Sequence, residues 1–176
     1  TLPLNNQDLT LFVRLGTDFN DNYYEYEMPL NETQWGATLA EDIWPESNNV
    51  EIVFDDLLDL KKKRNQLIDG GSTDVSYVIE YVAPDPANDQ RQLKVKGSPN
   101  LQGIKTLMVG VRNPSKTASN PWPDDGQADC AIIWINELRL TDFVSEGGQA
   151  AVAQAQVQLA DFATISASGN YSGINW

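Results

Sequence analysis

Carboxylates are the chemically reactive side chains that this sequence supplies in quantity. It contains 25 Asp and Glu residues, 12 Lys and Arg residues and no His. The lack of His excludes Ser-His-Asp and Cys-His nucleophilic sites, and the usual catalytic zinc sites, within this chain. A carboxylate pair would still suit a glycosidase, which needs two acids facing each other across a cleft. No pair of acids stands out by its context, so we expect no catalytic residues and no enzyme activity.

Two acidic turns offer the clustered oxygen ligands that calcium requires. The first contains Asp18, Asn20 and Asp21, and the second contains Asp124, Asp125 and Asp129. Neither turn follows the twelve-residue spacing of an EF-hand, and Asp-rich turns are common without a metal. We therefore predict no metal centre and no cofactor, and we keep the two turns as calcium candidates.

The net charge and the single cysteine exclude further classes of function. A net charge of −13 argues against nucleic acid or an anionic membrane surface as the partner. The one cysteine, Cys130, allows no intrachain disulfide and no thiolate metal cluster. It precedes a very apolar run, so we expect it to be a small buried hydrophobic residue.

Apolar residues alternate with polar ones in several segments, which predicts β-strands. Leu11, Val13 and Leu15 share one face of the first strand, while Tyr24, Tyr26 and Met28 share one face of the second. The run with most β-branched and aromatic residues, Ala131–Phe143, is expected to be a buried central strand. The other predicted strands are Leu9–Leu15, Tyr23–Met28, a short one at Trp35–Leu39, Asp74–Ala83, Arg91–Lys96 and Ile104–Arg112.

One helix is expected near residues 52–67. Asn48 and Asn49 offer N-caps, the basic run Lys61–Arg64 suits the negative end of the helix dipole, and Gly70-Gly71 ends the helix. Its apolar face is expected to carry Val53, Leu57, Leu60 and Leu67. The predicted fold is therefore all-β: a jelly-roll-like β-sandwich with one inserted α-helix.

Residues from Gln149 onward differ in kind from the preceding chain, because Asp161 is their only charged residue. Two segments of about ten residues, apolar on one face and uncharged-polar on the other, are typical of a C-terminal amphipathic β-hairpin from a transmembrane barrel. An edge hairpin of a soluble protein has the same period, so the pattern alone leaves both interpretations open. We predict a sandwich module at residues 1–146 and a barrel-type hairpin segment at residues 147–176.

Several longer segments carry a resemblance to a known family. They are Phe12–Leu30, Ile43–Pro45, Leu60–Arg64, Trp134–Phe143 followed by Gly147-Gly148, and Leu159–Ala163 with Ser166–Gly169. Together they resemble SprA/Sov, the giant outer-membrane translocon proteins of the Bacteroidetes type IX secretion system. The resemblance spans nearly the whole chain.

This resemblance implies a very large barrel at the cell outer membrane, through which folded cargo is secreted, and a role in gliding motility in some species. The chain would be a non-catalytic structural and interaction module of that barrel. The partners implied are other parts of the same barrel, a PorV-type shuttle barrel, a periplasmic plug protein and secreted cargo. Without neighbouring barrel strands, the hairpin is expected to be disordered, to join the sandwich sheet, or to pair with another copy through Gln149–Trp176.

The alternative function is a carbohydrate-binding β-sandwich module of a cell-surface protein. Jelly rolls with exposed aromatic side chains stack on sugar rings, and the candidate residues are Trp35, Trp44, Trp122, Tyr23 and Tyr24. Most aromatic residues of a sandwich belong to its core, which favours the translocon interpretation. A tryptophan fluorescence signal that stays flat across a panel of glycans would exclude the alternative.

Overall fold

The computed structural model describes residues 8–113, 130–141, 148–159 and 163–174. The chain divides into two compact units, Thr1–Ile132 and Ile133–Trp176. The predicted sandwich and hairpin limits, residues 1–146 and 147–176, stay a prediction.

A five-stranded antiparallel sheet forms the first unit, with the strand order β3-β4-β2-β1-β5. Strands β1 and β2 form a hairpin around the loop at residues 17–22, as the alternating pattern predicts. The strand bounds are β1 Thr10–Gly16, β2 Tyr23–Pro29, β3 Tyr81–Asp85, β4 Asn88–Lys96 and β5 Thr106–Arg112.

Helices α1 (Ala40–Ile43) and α2 (Phe54–Asp69) lie in the chain between β2 and β3. One face of the sheet packs against α2 through a buried cluster, and burying each large apolar side chain contributes about 1.5–3 kcal/mol. The cluster contains Leu11, Val13, Leu15, Tyr24, Tyr26, Met28, Leu57, Leu60, Leu93 and Val95. The predicted class, an all-β sandwich-like domain with one main helix, is confirmed. Within the described residues of this unit, helix α2 forms the second layer and packs against the sheet.

Helix α2 differs from its prediction in three details. It begins at Phe54 without a side-chain cap, because the N-cap residue is Val53, and Asn48 instead exchanges hydrogen bonds with Asn31. Val53 and Leu67 are exposed, so the apolar face is narrower than predicted. Arg64 is buried rather than solvated at the helix end, and the helix continues to Asp69. Gly70 and Gly71, the latter with φ +82°, follow the last turn as predicted.

Three predicted strands are wrong or shorter than expected. Residues 35–36 form a turn instead, with Gly36 at φ +85°, and residues 37–39 form no strand. The segment Asp74–Ala83 is a strand only from Tyr81. Tyr81 pairs with Val95 of β4, and β4 ends at the next residue, Lys96, so it offers almost no partner to the residues before Tyr81. The segment Ala131–Phe143 forms no strand in residues 131–141, where its large apolar side chains are exposed. Strand propensity needs a backbone partner, and these residues have none among the described strands.

The second unit contains an antiparallel hairpin of β6 (Gly148–Leu159) and β7 (Ala163–Ile174). It forms its own two-stranded sheet, so the expected addition to the larger sheet is wrong, and the expected disorder stays a prediction. Pairing with another copy stays a prediction. From Ala153 to Leu159 the register sets polar opposite polar and apolar or Gly opposite apolar, as in the pairs Gln154↔Ser168 and Ala155↔Ala167.

Candidate functional site

Among the described residues, a dense group of charged side chains lies on the sheet face opposite α2. We call Arg14, Glu25, Glu27, Lys94 and Arg112 the ion-pair cluster. Strand register creates it: Glu25 of β2 lies opposite Arg14 of β1 on one side and opposite Lys94 of β4 on the other. Because side chains alternate between faces, these positions point away from the apolar core.

Both carboxylates of the cluster are satisfied by several cations. Arg14 Nε donates to Glu25 Oε2 at 2.8 Å, and Arg112 donates to both oxygens of Glu25 at 2.7 and 2.9 Å. Arg112 also donates to Glu27 at 2.7 Å, and Lys94 is paired with both acids. The side chain of Glu25 is 0% exposed, so these cations replace its water. Such multiply bonded, charge-assisted contacts are the strong kind.

The electrostatics of the cluster fit a permanently ionised structure. Burial raises the pKa of Glu25, but hydrogen bonds from Arg112 and Arg14 and the charges of Lys94 and Arg112 outweigh it and lower the pKa to about 2. A general acid or base works best with a pKa near the operating pH. Glu25 therefore holds β1, β2, β4 and β5 together and is poorly suited to proton transfer.

Aromatic rings extend the cluster on both sides. The Arg14 guanidinium lies 3.8 Å from the centre of the Tyr23 ring, and that of Arg112 lies 4.0 Å from the centre of the Phe12 ring. The Tyr23 hydroxyl donates to Glu80. Burial and that hydrogen bond raise the pKa of Tyr23 far above its usual value. These contacts shield the ion pairs from water, which strengthens them.

Arg64 of helix α2 is a buried cation that does not belong to the ion-pair cluster. Its side chain is fully buried, and burial lowers its pKa. It donates to Asn65 Oδ1 and lies 4.8 Å from the Tyr77 ring centre, but Nη1 has no hydrogen-bond partner among the described residues. No carboxylate of the described chain pairs with it, which makes it unlike the cations of the ion-pair cluster.

The first calcium candidate is a turn whose central carboxylate already accepts several N–H donors. Asp18 accepts from the backbone N–H groups of Asn20, Asp21 and Asn22, and from the Asn22 side chain. Hydrogen bonds from Asp21 and Asn22 hold its pKa well below the usual value. Asp21 instead pairs with Lys96 at 3.3 Å. The second candidate, Asp124, Asp125 and Asp129, lies outside the described residues.

No group of three or more His, Cys, Asp or Glu side chains suited to a metal occurs in the described parts of the chain. Cys130, predicted to be buried, is exposed. Calcium binding at either turn stays a prediction.

The four aromatic candidates for a sugar platform that the structure describes do not lie on one surface. Tyr23 and Tyr24 are buried, on opposite faces of β2. Trp35 is fully exposed, and Trp44 is partly exposed with its Nε1 donating to Asn49 at 2.7 Å. Trp122 lies outside the described residues. Of the five predicted aromatic residues, Trp35 and Trp44 are the two that the described structure exposes at the surface.

Sequence reasoning missed the ion-pair cluster, although its signal was present. The predicted strands place Arg14, Glu25, Glu27 and Lys94 at the positions that alternate with core residues, so they had to share the opposite face. The missing information was which strands are neighbours, because β2 lies between β1 and β4 only in the folded sheet.

Comparison with known families agrees with the family resemblance that the sequence segments indicate. The family SprA_N, described as a motility related/secretion protein, matches residues 1–176. The chain belongs to this family. The predicted resemblance to SprA-like proteins is confirmed, and SprA_N membership connects the chain with motility and secretion.

A search of curated proteins gives no match for this SprA_N chain. In the described residues, none of the helices is long and apolar enough to span a membrane.

Proposed function

We propose that this chain is a non-catalytic structural and interaction module of an outer-membrane β-barrel translocon for type IX protein secretion and gliding motility. SprA_N membership supports the secretion and motility part of the proposal. The proposed partners are the rest of the same barrel, a PorV-type shuttle barrel, a periplasmic plug protein and secreted cargo. The sheet and helix α2 would form the interaction module, and β6–β7 would form part of the barrel wall.

The register of β6 and β7 is the observation that carries the barrel part of the proposal. Positions 151, 153, 155, 157 and 159 lie opposite positions 171, 169, 167, 165 and 163. All ten are apolar or Gly, and the uncharged polar residues Gln154, Gln156 and Gln158 pair with Ser or Thr. A strand pair with one apolar and one uncharged-polar face suits lipid on one side and a wet lumen on the other.

The contacts of the ion-pair cluster support a non-catalytic role for this chain. Its buried carboxylates have their hydrogen-bond capacity taken by Arg14, Lys94 and Arg112. Breaking these contacts to bind a substrate would leave buried charges unpaired, which costs about 3–5 kcal/mol.

The experiment uses the full-length parent protein in a gliding Bacteroidetes cell. We expect Ala153→Lys to reduce cargo secretion and gliding, because Lys on the lipid face of a barrel costs about 2–4 kcal/mol near the midplane. The neighbouring change Gln154→Lys, on the other face, is the matched control and should leave both activities close to normal. Equal tolerance of the two changes would contradict a lipid-facing hairpin.

A further inference from the structure

Residues 41–59 carry a concentration of unpaired negative charge. This segment has seven acidic residues and no Lys or Arg, so it contributes −7 to a chain whose net charge is −13. None of the seven forms an ion pair with another residue in the described parts of the chain. They are Glu41, Asp42, Glu46, Glu51, Asp55, Asp56 and Asp59, of which all but Asp56 are exposed.

The same segment also exposes large apolar side chains, and we call it the acidic apolar segment. Phe54 and Leu58 are four residues apart and lie one above the other on α2. Its exposed apolar residues are Ile43, Trp44, Val50, Val53, Phe54 and Leu58. Apolar surface with a polar rim is typical of a protein interaction site.

Hydrogen bonds hold this segment in one conformation. Asn31 N donates to Asn48 Oδ1 at 2.9 Å, and Asn48 Nδ2 donates back to Asn31 O at 2.8 Å. Arg91 of β4 reaches the carbonyl of Asn49 at 3.2 Å, and Ile52 packs against the core. A surface ordered in advance loses less conformational entropy when a partner binds.

We propose that the acidic apolar segment docks a basic, amphipathic segment of a partner protein, with apolar residues on one face and Lys or Arg beside them. Charge complementarity selects this occupant, because an acidic partner and anionic lipid head groups would both be repelled by the seven carboxylates. The inference deepens the interaction role proposed above and rests on it. The surface belongs to the sheet–helix unit, and its test changes no residue of the hairpin.

The test measures binding of a fluorescently labelled, amphipathic Leu/Lys model helix to the whole chain by anisotropy. Trp44→Ser with Leu58→Ser removes apolar surface at constant charge, and Asp55→Asn with Asp59→Asn removes charge at constant apolar surface. We expect each double variant to weaken binding about tenfold or more, and added salt to weaken binding to the wild type. Circular dichroism checks that each variant is folded.

Matched control variants carry the same chemical changes elsewhere on the exposed surface. Trp134→Ser with Leu138→Ser, and Asp69→Asn with Asp89→Asn, should bind the peptide like the wild type. Equal binding by all variants would overturn the proposal. So would equal binding of a control peptide in which Glu replaces Lys, or one in which Ser replaces Leu.

Two further results would overturn the proposal by showing another occupant. One is self-association of the chain that Trp44→Ser with Leu58→Ser abolishes, which would indicate a second copy. The other is binding to phosphatidylglycerol vesicles that the same variant abolishes. Peptide binding is measured on the isolated chain, whereas the Ala153→Lys experiment measures secretion and gliding by the parent protein. A negative result in one experiment can therefore be told apart from a negative result in the other.

Discussion

Glu25 and Arg14 lie directly opposite each other in the β1–β2 pair, and Arg14 Nε donates a hydrogen bond to Glu25 Oε2 at 2.8 Å. Arg112 of β5 and Lys94 of β4 approach the same carboxylate from the strands on either side of the β1–β2 pair. One buried acid thus connects four of the five strands. The stability of the sheet should depend on that acid more than on any exposed ion pair.

Replacement of Glu25 by Gln should strongly destabilise the sheet. The change takes the shared carboxylate away from Arg14, Lys94 and Arg112, and removal of one partner from a buried ion pair costs about 3–5 kcal/mol. Urea unfolding, followed by circular dichroism, measures the loss. The control is Asp21→Asn, which removes the exposed partner of Lys96 and should cost about 0–1 kcal/mol. Similar losses for the two variants would argue against the special role of Glu25.

The same carboxylate predicts how stability depends on pH. The folded pKa of Glu25, about 2, lies below the usual 4.5, so its contribution is fully present above about pH 4.5 and is lost as the pH falls towards 2. The difference between the two pKa values corresponds to about 3 kcal/mol. The stability gap between wild type and Glu25→Gln should therefore narrow by about 2 kcal/mol between about pH 7 and pH 3. Parallel stability curves over this range would be inconsistent with a depressed pKa.

Gly97 should tolerate substitution much less than Gly71 does. Both have positive φ, +66° and +82°, which costs about 1–2 kcal/mol for Ala. A Cβ at Gly97 would also overlap the backbone oxygen of Asp21, whereas nothing lies within 4 Å of a Cβ at Gly71. Gly97→Ala should cost about 1–3 kcal/mol more than Gly71→Ala in the unfolding free energy. Equal costs would mean that the loop at residues 17–22 can move away from β4.

Arg64 should be replaceable by Met without loss of stability. Its guanidinium is buried with Nη1 unbonded and without a carboxylate among the described residues, and apolar residues of similar size in such places are often neutral or stabilising by about 1–4 kcal/mol. Arg64→Ala, which leaves a cavity, is the comparison and should destabilise the unit. A large loss of stability in Arg64→Met, measured by thermal unfolding, would show that the charge of Arg64 has a partner.

The alternation of Leu11, Val13 and Leu15, and of Tyr24, Tyr26 and Met28, was enough to predict the first hairpin and its core face. The glycines after α2 were enough to place its end to within about two residues, at Asp69 rather than Leu67. Ala131–Phe143 shows the limit of local pattern, because a run of Ile and Trp has strand propensity whether or not a neighbouring strand is present. Lys61–Arg64 shows another limit: this basic run was expected at the helix end, but α2 continues to Asp69 with no basic residue in its last turn, and packing buried Arg64.

Cysteine accessibility in the full-length parent tests the central claim most directly, namely that β6–β7 is part of a barrel wall. The variants are Ala153→Cys, Gln154→Cys, Ser168→Cys and Gly169→Cys, each with Cys130→Ser and with any other cysteines of the parent replaced. In intact outer membranes, a water-soluble maleimide should label positions 154 and 168 and leave positions 153 and 169 unlabelled. Equal labelling of all four positions would contradict the account.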